Sequence, residues 1–515
     1  MIVVDCETTK QGDLVLIGLY GDINNKIEYY PFSNADTFFD FIKSYKIKEI
    51  FCHNVEFDFF KIYENKKSIK FSAYMIGGQS SKVAYVQQGN IVWKDVLNHL
   101  PYSLELLGKI IKLEKLKIDY DKIDVINNEL LVYNKRDCEI TYLVLQKVKE
   151  IYTLQGLNKI PATVGSASMK ILLLRFYGSK FLKIDEDDLK TWRKSYTGGW
   201  VECFKSGKFN NDNYYKIDIN SLFPAMMRTS LPDYKYYRKV NELTQFEYQH
   251  KYWLGYIYNE QYDNYDCVNS IENRDKFITK DNCNFYYVFD YKIYPFRKFV
   301  KYFYNLKDKS IGLAREIYKL ILNSCYGKFA QRSELDVISN YNYKETKDLF
   351  YKENIKDDLY RCKFNKPNKY WVNVIWSSFI TAKAREYMSN LFRYIKRRNI
   401  EIYYIDTDCF IISGDIKEIA NIISNDKIGL FKLEDMANSI EIKGKKMYKF
   451  GEMYKCKGIP AQYRKEFFEN DKIVIKKMVR YKEALRRGIK LGSWIEMSKR
   501  NKVNLYQTCK LAIDN

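Results

Sequence analysis

The chain has 515 residues, with 86 Lys and Arg against 64 Asp and Glu and a formal charge of +22. That length exceeds what one hydrophobic core organises, so at least two domains are expected; the charge favours a polyanionic partner, nucleic acid first, although an AT-rich coding bias toward Lys, Asn, Ile and Tyr gives the same sign. The 11 cysteines are scattered without a CxxC pair, which argues against a structural zinc module or a disulfide scaffold and fits a reducing interior, while no apolar run reaches membrane-spanning length and the start Met1-Ile2-Val3-Val4-Asp5 does not read as a signal peptide. A soluble, cytoplasmic protein without a membrane partner is expected.

Residues 1 to about 160 read as an α/β unit, with strands at Ile2–Cys6 and Leu14–Tyr20 and helices at Ala35–Tyr45 and Leu130–Tyr152. The first strand carries Asp5 and Glu7 two residues apart, so both carboxylates leave one face; alone, such a pair also fits a solvated strand end. Downstream, His53-Asn54-Val55-Glu56-Phe57-Asp58 supplies another acid, and Tyr133 and Asp137 lie one helical turn apart. Four acids and a tyrosine can hold two metal ions that activate water against a phosphodiester, with Tyr133 orienting the water.

A second α/β body begins near 190, and in its segment Tyr214–Pro224 an apolar strand delivers Asp218 to a turn, the strand ending at that residue. Residues 232–296 are crowded with Tyr, Asp and Asn and read as an inserted, partly β lobe, and 332–368 as a second insertion. Between them, Lys307–Gly327 reads as one helix stopped by Gly327. Its face Arg315, Lys319, Asn323 and Tyr326 suits a triphosphate and a stacked base as well as plain solvation, and Leu313, Ile317, Leu320 and Ile321 suit a core.

The apolar, β-prone run Ile402–Ile412 is interrupted by Asp406 and Asp408, which a continuous strand would project from one face. Metal binding would relieve the repulsion of two buried acids, whereas a turn or a surface pair accounts for the same residues without a metal. The basic tail includes Lys476-Lys477-Met478-Val479-Arg480-Tyr481-Lys482, which fits a DNA contact or a solvated face.

The segments Asp218-Ile219-Asn220-Ser221-Leu222-Phe223-Pro224, Lys319–Gly327 and Tyr404-Ile405-Asp406-Thr407-Asp408 resemble, in order, three motifs of the family B DNA polymerases. The resemblance implies an RNase H-like 3′→5′ exonuclease domain followed by a right-hand polymerase, α/β and α+β multidomain. Asp218 and Asp408 would be the direct ligands of two Mg²⁺ or Mn²⁺ ions and Asp406 their support. Lys307 and Lys319 would contact the incoming dNTP and Tyr326 the nascent base pair. Phe223 stands where the family usually has Tyr, so steric exclusion of a 2′-hydroxyl is expected to persist without the phenol's hydrogen bond. Tyr196-Thr197-Gly198-Gly199, Thr381–Arg385 and Lys446-Met447-Tyr448 look like elements that bind template or primer. This nominates Tyr196, Gly198, Gly199, Thr381, Arg385, Lys446 and Tyr448 as DNA contacts, the last two sharing a strand face. In the exonuclease the implied ligands, again to two ions, are Asp5, Glu7, Asp58 and Asp137. Asn54 and Phe57 would grip the primer end, and Lys117 would steady the scissile phosphate.

Within the family, the protein-primed polymerases of small phages and linear plasmids look most similar. They imply a terminal protein as primer, strand displacement and a monomeric enzyme. The corresponding divisions are exonuclease 1–185, palm 186–231 and 369–457, terminal-protein and template insertion 232–296, fingers 297–331, processivity insertion 332–368 and thumb 458–515.

Overall fold

A computed structural model describes residues 1–76, 82–119, 123–273, 283–344, 346–356 and 358–500. The last fifteen residues of the expected thumb, parts of both expected insertions, and Tyr120 to Lys122 lie outside the described residues. The chain forms two compact units. One comprises Met1–Lys183, Lys298–Val372 and Lys477–Ile495; the other comprises Ile184–Arg297, Asn373–Lys476 and the described residues from Glu496.

The first unit is built on a ten-stranded sheet. Its strand Ile2–Thr8, third from one edge, is antiparallel to Leu14–Ile23 and parallel to Glu49–Cys52. Its Ile-Val-Val opening is buried on both faces, as a central strand covered on each side requires. Phe38, Phe59, Phe60, Phe71 and Trp93 fill the core beside it, several ring pairs meeting edge to face. The helix Asn128–Leu154 begins where the Asn127 side chain accepts the Leu130 N–H, and it packs on the two opening strands.

The second insertion is not a free-standing lobe. Its strand Glu334–Ser339 pairs antiparallel with Ser72–Met75, placing Ile338 opposite Ala73, and Leu359–Asn365 and Leu349–Lys356 extend the sheet further. The junction is polar and satisfied: the Phe71 N–H donates to Asn340 Oδ1 at 2.9 Å, and Asn340 Nδ2 to the Ile69 carbonyl at 2.6 Å. Arg361 grips buried Asp336 through two parallel bonds of 3.0 and 2.6 Å.

The single helix expected over Lys307–Gly327 is two helices, Arg297–Lys309 and Gly312–Phe329. The break falls at Ser310–Ile311, where Gly312 takes φ +55°, and the second helix runs through Gly327 instead of stopping there.

In the second unit a five-stranded sheet runs Phe431–Ala437, Tyr214–Ile219, Cys409–Ser413, Glu401–Asp406, Val201–Cys203, and the 23-residue helix Val374–Lys396 packs against it. The strands Tyr237–Val240, Tyr252–Asn259, Asn264–Asn269 and Phe285–Phe289 form a separate antiparallel sheet around Trp253, Tyr286 and Val288. Another four-stranded sheet joins Gly207–Phe209, Ile440–Gly444, Met447–Phe450 and Met453–Cys456.

Candidate active sites

In the first unit, strand alternation sends Asp5 and Glu7 to one side, where the long helix crosses. Asn134 on that helix donates to Asp5 Oδ2 at 2.9 Å and to Glu7 Oε1 at 3.3 Å. Tyr29 fixes the amide by donating to its Oδ1 at 2.9 Å. This approach requires Gly18, the partner of Asp5 across the sheet, because a Cβ there would lie 1.7 Å from Asn134 Oδ1.

Asp137, one turn beyond Tyr133, joins Asp5 and Glu7 in a group whose ligating atoms lie within 4.8 Å of one another. Asp58 comes from the first turn of Val55–Asn65, its Oδ1 accepting the Cys6 N–H at 3.0 Å. Burial and then mutual repulsion raise the acids: Asp5 stands well above the usual carboxylate range, and Glu7 is pushed up to about 7. Burial likewise lifts Asp58 and Asp137. Among the described residues, Asp58 Oδ2 and Asp137 Oδ1 are buried without a hydrogen-bond partner. Crowded, desolvated carboxylates with unsatisfied oxygens suit hard divalent cations.

A cavity of about 220 Å³ opens onto these acids, with Asn54, Phe57 and His53 on its wall. Asn54 holds a left-handed conformation at φ +91°, its N–H bonded to Asp95 Oδ1 at 3.0 Å. Asp95 was not singled out from the sequence; it shapes the wall from behind, with burial raising its pKa to about 6. Lys117 is exposed, and it is Lys115 whose ammonium reaches the site, 2.7 Å from the Tyr133 hydroxyl and paired with Asp137. The local string Lys115-Leu116-Lys117-Ile118 does not distinguish the two lysines; proximity to Tyr133 and Asp137 does.

In the second unit, Asp218 pairs in register with Cys409, and the Ile219 N–H donates to the Asp408 carbonyl at 2.8 Å. Asp406 ends one strand and Asp408 precedes the next, so the continuous strand expected through them is a hairpin tip. The turn brings the acids together: Thr407 stands at φ +67°, and the Asp408 N–H returns to the Asp406 carbonyl at 2.8 Å. Burial, with the Asp406 and Glu434 charges, raises Asp408 to about 6. Glu434, another acid missed in the sequence, pairs with Lys216 at 3.0 Å. The ligating atoms of Asp218, Asp406 and Asp408 do not form a group as close as the one in the first unit, but three acids brought together by adjoining strands and the turn between two of them are a donor set that suits hard cations.

The expected DNA contacts divide. Tyr196 is exposed and Gly198 faces open space, whereas a Cβ on Gly199 would lie 2.7 Å from Thr407 Cγ2. Gly199 thus makes room for Thr407. Thr381 is buried at 2% exposure and donates to the Ser378 carbonyl, which leaves it no face for DNA. Tyr448 is likewise a core residue, 4% exposed with its ring 5.2 Å from that of Tyr404. Lys446 does not share its strand: it stands in the preceding turn at φ +62°, its ammonium 3.0 Å from Asp406. Arg385 is held by Glu272 and by two backbone carbonyls. Phe223 is half-buried in the helix Leu222–Met227, just after Asp218.

The expected triphosphate contacts belong to the first unit. Lys307 lies on the earlier of the two helices, 8% exposed, with its ammonium 4.1 Å from the Tyr304 ring centroid. Burial, then the Arg315 charge, pulls its pKa down. Arg315 donates to the Lys307 carbonyl at 3.2 Å, Lys319 and Asn323 are exposed, and Tyr326 is half-buried.

A family described as DNA polymerase type B, organellar and viral, matches residues 112–285 and 282–408, more than half of the chain. The chain belongs to this family. The DNA polymerase of Bacillus phage M2 is 25% identical to this family B polymerase over 514 residues, covering 84% of each protein. That of Acidianus bottle-shaped virus is 26% identical over 367 residues, 63% of this chain; the chain spans about half of that protein, 49%. The fold is similar to that of phi29 DNA polymerase complexed with primer-template DNA and incoming nucleotide substrates, with a TM-score of 0.75 at 20% identity over 97% of this chain and 100% of that one.

Proposed function

We propose that the chain copies DNA at Asp218, Asp406 and Asp408 and removes mispaired 3′ ends at Asp5, Glu7, Asp58 and Asp137. The observation that carries this reading is that each compact unit gathers acids from separate segments, Asp5, Glu7, Asp58 and Asp137 in one and Asp218, Asp406 and Asp408 in the other, the first group opening onto a cavity beside Asn54 and Phe57. Mg²⁺ or Mn²⁺, two ions per site, would supply Lewis-acid activation of the attacking oxygen and stabilisation of the leaving one.

The chain's own groups do the rest. Lys307 and Lys319 neutralise the incoming triphosphate, Tyr326 meets the nascent pair, and Phe223 crowds a 2′-hydroxyl. In the editing site Asn54 and Phe57 hold the frayed end, Tyr133 orients water, and Lys115 balances charge at the scissile phosphate. The partners are template, primer, dNTPs and, for initiation, a terminal protein that docks on 232–296. The enzyme acts as a monomer in the host cytoplasm, with the exonuclease, palm, fingers, insertion and thumb divisions given above.

Asp408→Asn should abolish primer extension, a loss of about 10³-fold or more, and leave degradation of single-stranded DNA; Asp5→Ala combined with Asp137→Ala should do the reverse. Parental extension by Asp408→Asn would refute the assignment. Transfer of labelled dNTP to a terminal protein tests initiation, and label found only on DNA primers would exclude protein priming.

A further inference from the structure

Arg385 stands on the long helix Val374–Lys396, in a segment expected to bind DNA, yet all three of its guanidinium nitrogens are engaged. Nε donates to Glu272 Oε1 at 2.6 Å and Nη2 to Glu272 Oε2 at 2.7 Å, the parallel fork that best fits a carboxylate. Nη1 donates to the carbonyls of Thr197 and Gly198 at 3.0 and 2.7 Å. Glu272 belongs to the inserted lobe, in the turn of helix Ser270–Asn273 that follows the strand Asn264–Asn269.

The loop that Arg385 grips continues directly to the acidic turn. Gly199 lies against Thr407, the Trp200 carbonyl accepts the Thr407 N–H at 2.7 Å, and Val201 pairs with Asp406. Thr407 is β-branched and sits at φ +67°, a strained conformation that persists only where surrounding contacts over-determine it. The contacts to Gly199 and Trp200 are among those that hold it. A connected series of bonds therefore runs from the lobe, through Glu272 and Arg385, along Thr197–Val201, to the residue between Asp406 and Asp408.

We propose that Glu272 is a positioning residue of the polymerising centre. Its carboxylate fixes the Arg385 fork so that Arg385 presses the Thr197–Gly199 loop onto Thr407, and Thr407 in turn sets the spacing of Asp406 and Asp408. Arg385 then serves this clamp instead of a phosphate. The proposal rests on the reading of Asp218, Asp406 and Asp408 as the extension site.

The test uses the full chain with Glu272→Gln, which removes the charge but keeps one acceptor, and with Gly199→Ala, which puts a methyl group against Thr407. Hydrogen exchange is followed on peptides covering Thr197–Cys203 and Tyr404–Phe410, alongside kcat and KM for dNTP and the rate of single-strand degradation. Both variants should exchange the Thr407 amide about tenfold faster or more, and lose about tenfold in kcat for extension at nearly unchanged KM, while degradation stays within about twofold of parent. Restoring the carboxylate one methylene shorter, with Glu272→Asp, should recover part of both losses. Parental exchange and kcat in Glu272→Gln would overturn the clamp, and so would an equal fall of extension and degradation in both variants. A parent chain that does not extend primers would instead sink the polymerase reading, and the clamp with it.

Discussion

Glu7 offers the sharpest test of the acidic cluster as a metal-ready site. It is 6% exposed, and burial first, then the Asp137 charge, raises its pKa from 4.5 to about 7. Because the folded form holds the proton more tightly than the unfolded chain, the stability contributed by protonated Glu7 is complete below about pH 4.5. It is lost as pH rises through about 7. A displacement of that size corresponds to about 3 kcal/mol. In EDTA, the first unit should therefore weaken by about 3 kcal/mol or more between pH 5 and pH 8, since Asp5 and Asp58 are raised for the same reason. Glu7→Gln removes the titrating group and should be the more stable chain at pH 8 by about that amount, with little difference at pH 5. Mn²⁺ should restore the parent at pH 8 and help the variant less. Urea unfolding read by pulsed hydrogen exchange at the strand Ile2–Thr8 measures each quantity. Equal pH slopes for parent and Glu7→Gln in EDTA would refute the account of the site.

Two further outcomes follow from particular contacts. Lys115→Ala should slow 3′ degradation by about 10²-fold with extension unchanged, while Lys117→Ala stays within about twofold of parent, since only Lys115 reaches Tyr133 and Asp137; single-turnover degradation of a labelled oligonucleotide discriminates them. Arg361→Ala strands Asp336, 2% exposed, without its cation and should cost about 3 kcal/mol, seen as a lowered urea midpoint of the first unit.

The parts of the fold set by local chemistry were legible in the sequence. The run Ile2-Val3-Val4 read as a strand, and the long helix bearing Tyr133 and Asp137 was expected over most of its length, Leu130–Tyr152 within Asn128–Leu154. Asp5, Asp218, Asp406 and Asp408 stood out too, because carboxylates set into apolar runs are anomalous, whereas Asp137 follows the polar Asn134-Lys135-Arg136 and carried no such sign. What escaped depended on distant partners. The residues around Asp406 and Asp408 are β-prone on both sides, so propensity could not mark the turn at Thr407. Thr381 and Tyr448 match polar or aromatic DNA contacts by type, but burial decides against them, and burial is set by other segments. The choice of Lys115 over Lys117 is of the same kind. The helix break at Ser310–Ile311 had a local sign in Gly312, outweighed by the strong period on either side.

The pairing of Ser72–Met75 with Glu334–Ser339 has a consequence for how the protein is made. About 260 residues of chain separate the two strands, so on a ribosome adding roughly 5–20 residues per second the Ser72–Met75 edge waits on the order of tens of seconds for its neighbour. During that interval its backbone amides and carbonyls face solvent as an open template for other strands, the situation in which nascent β-proteins aggregate. A fragment ending near residue 183 would keep that edge open permanently. The first unit is thus completed only by segments encoded after the strands Val201–Cys203 and Tyr214–Ile219 of the five-stranded sheet.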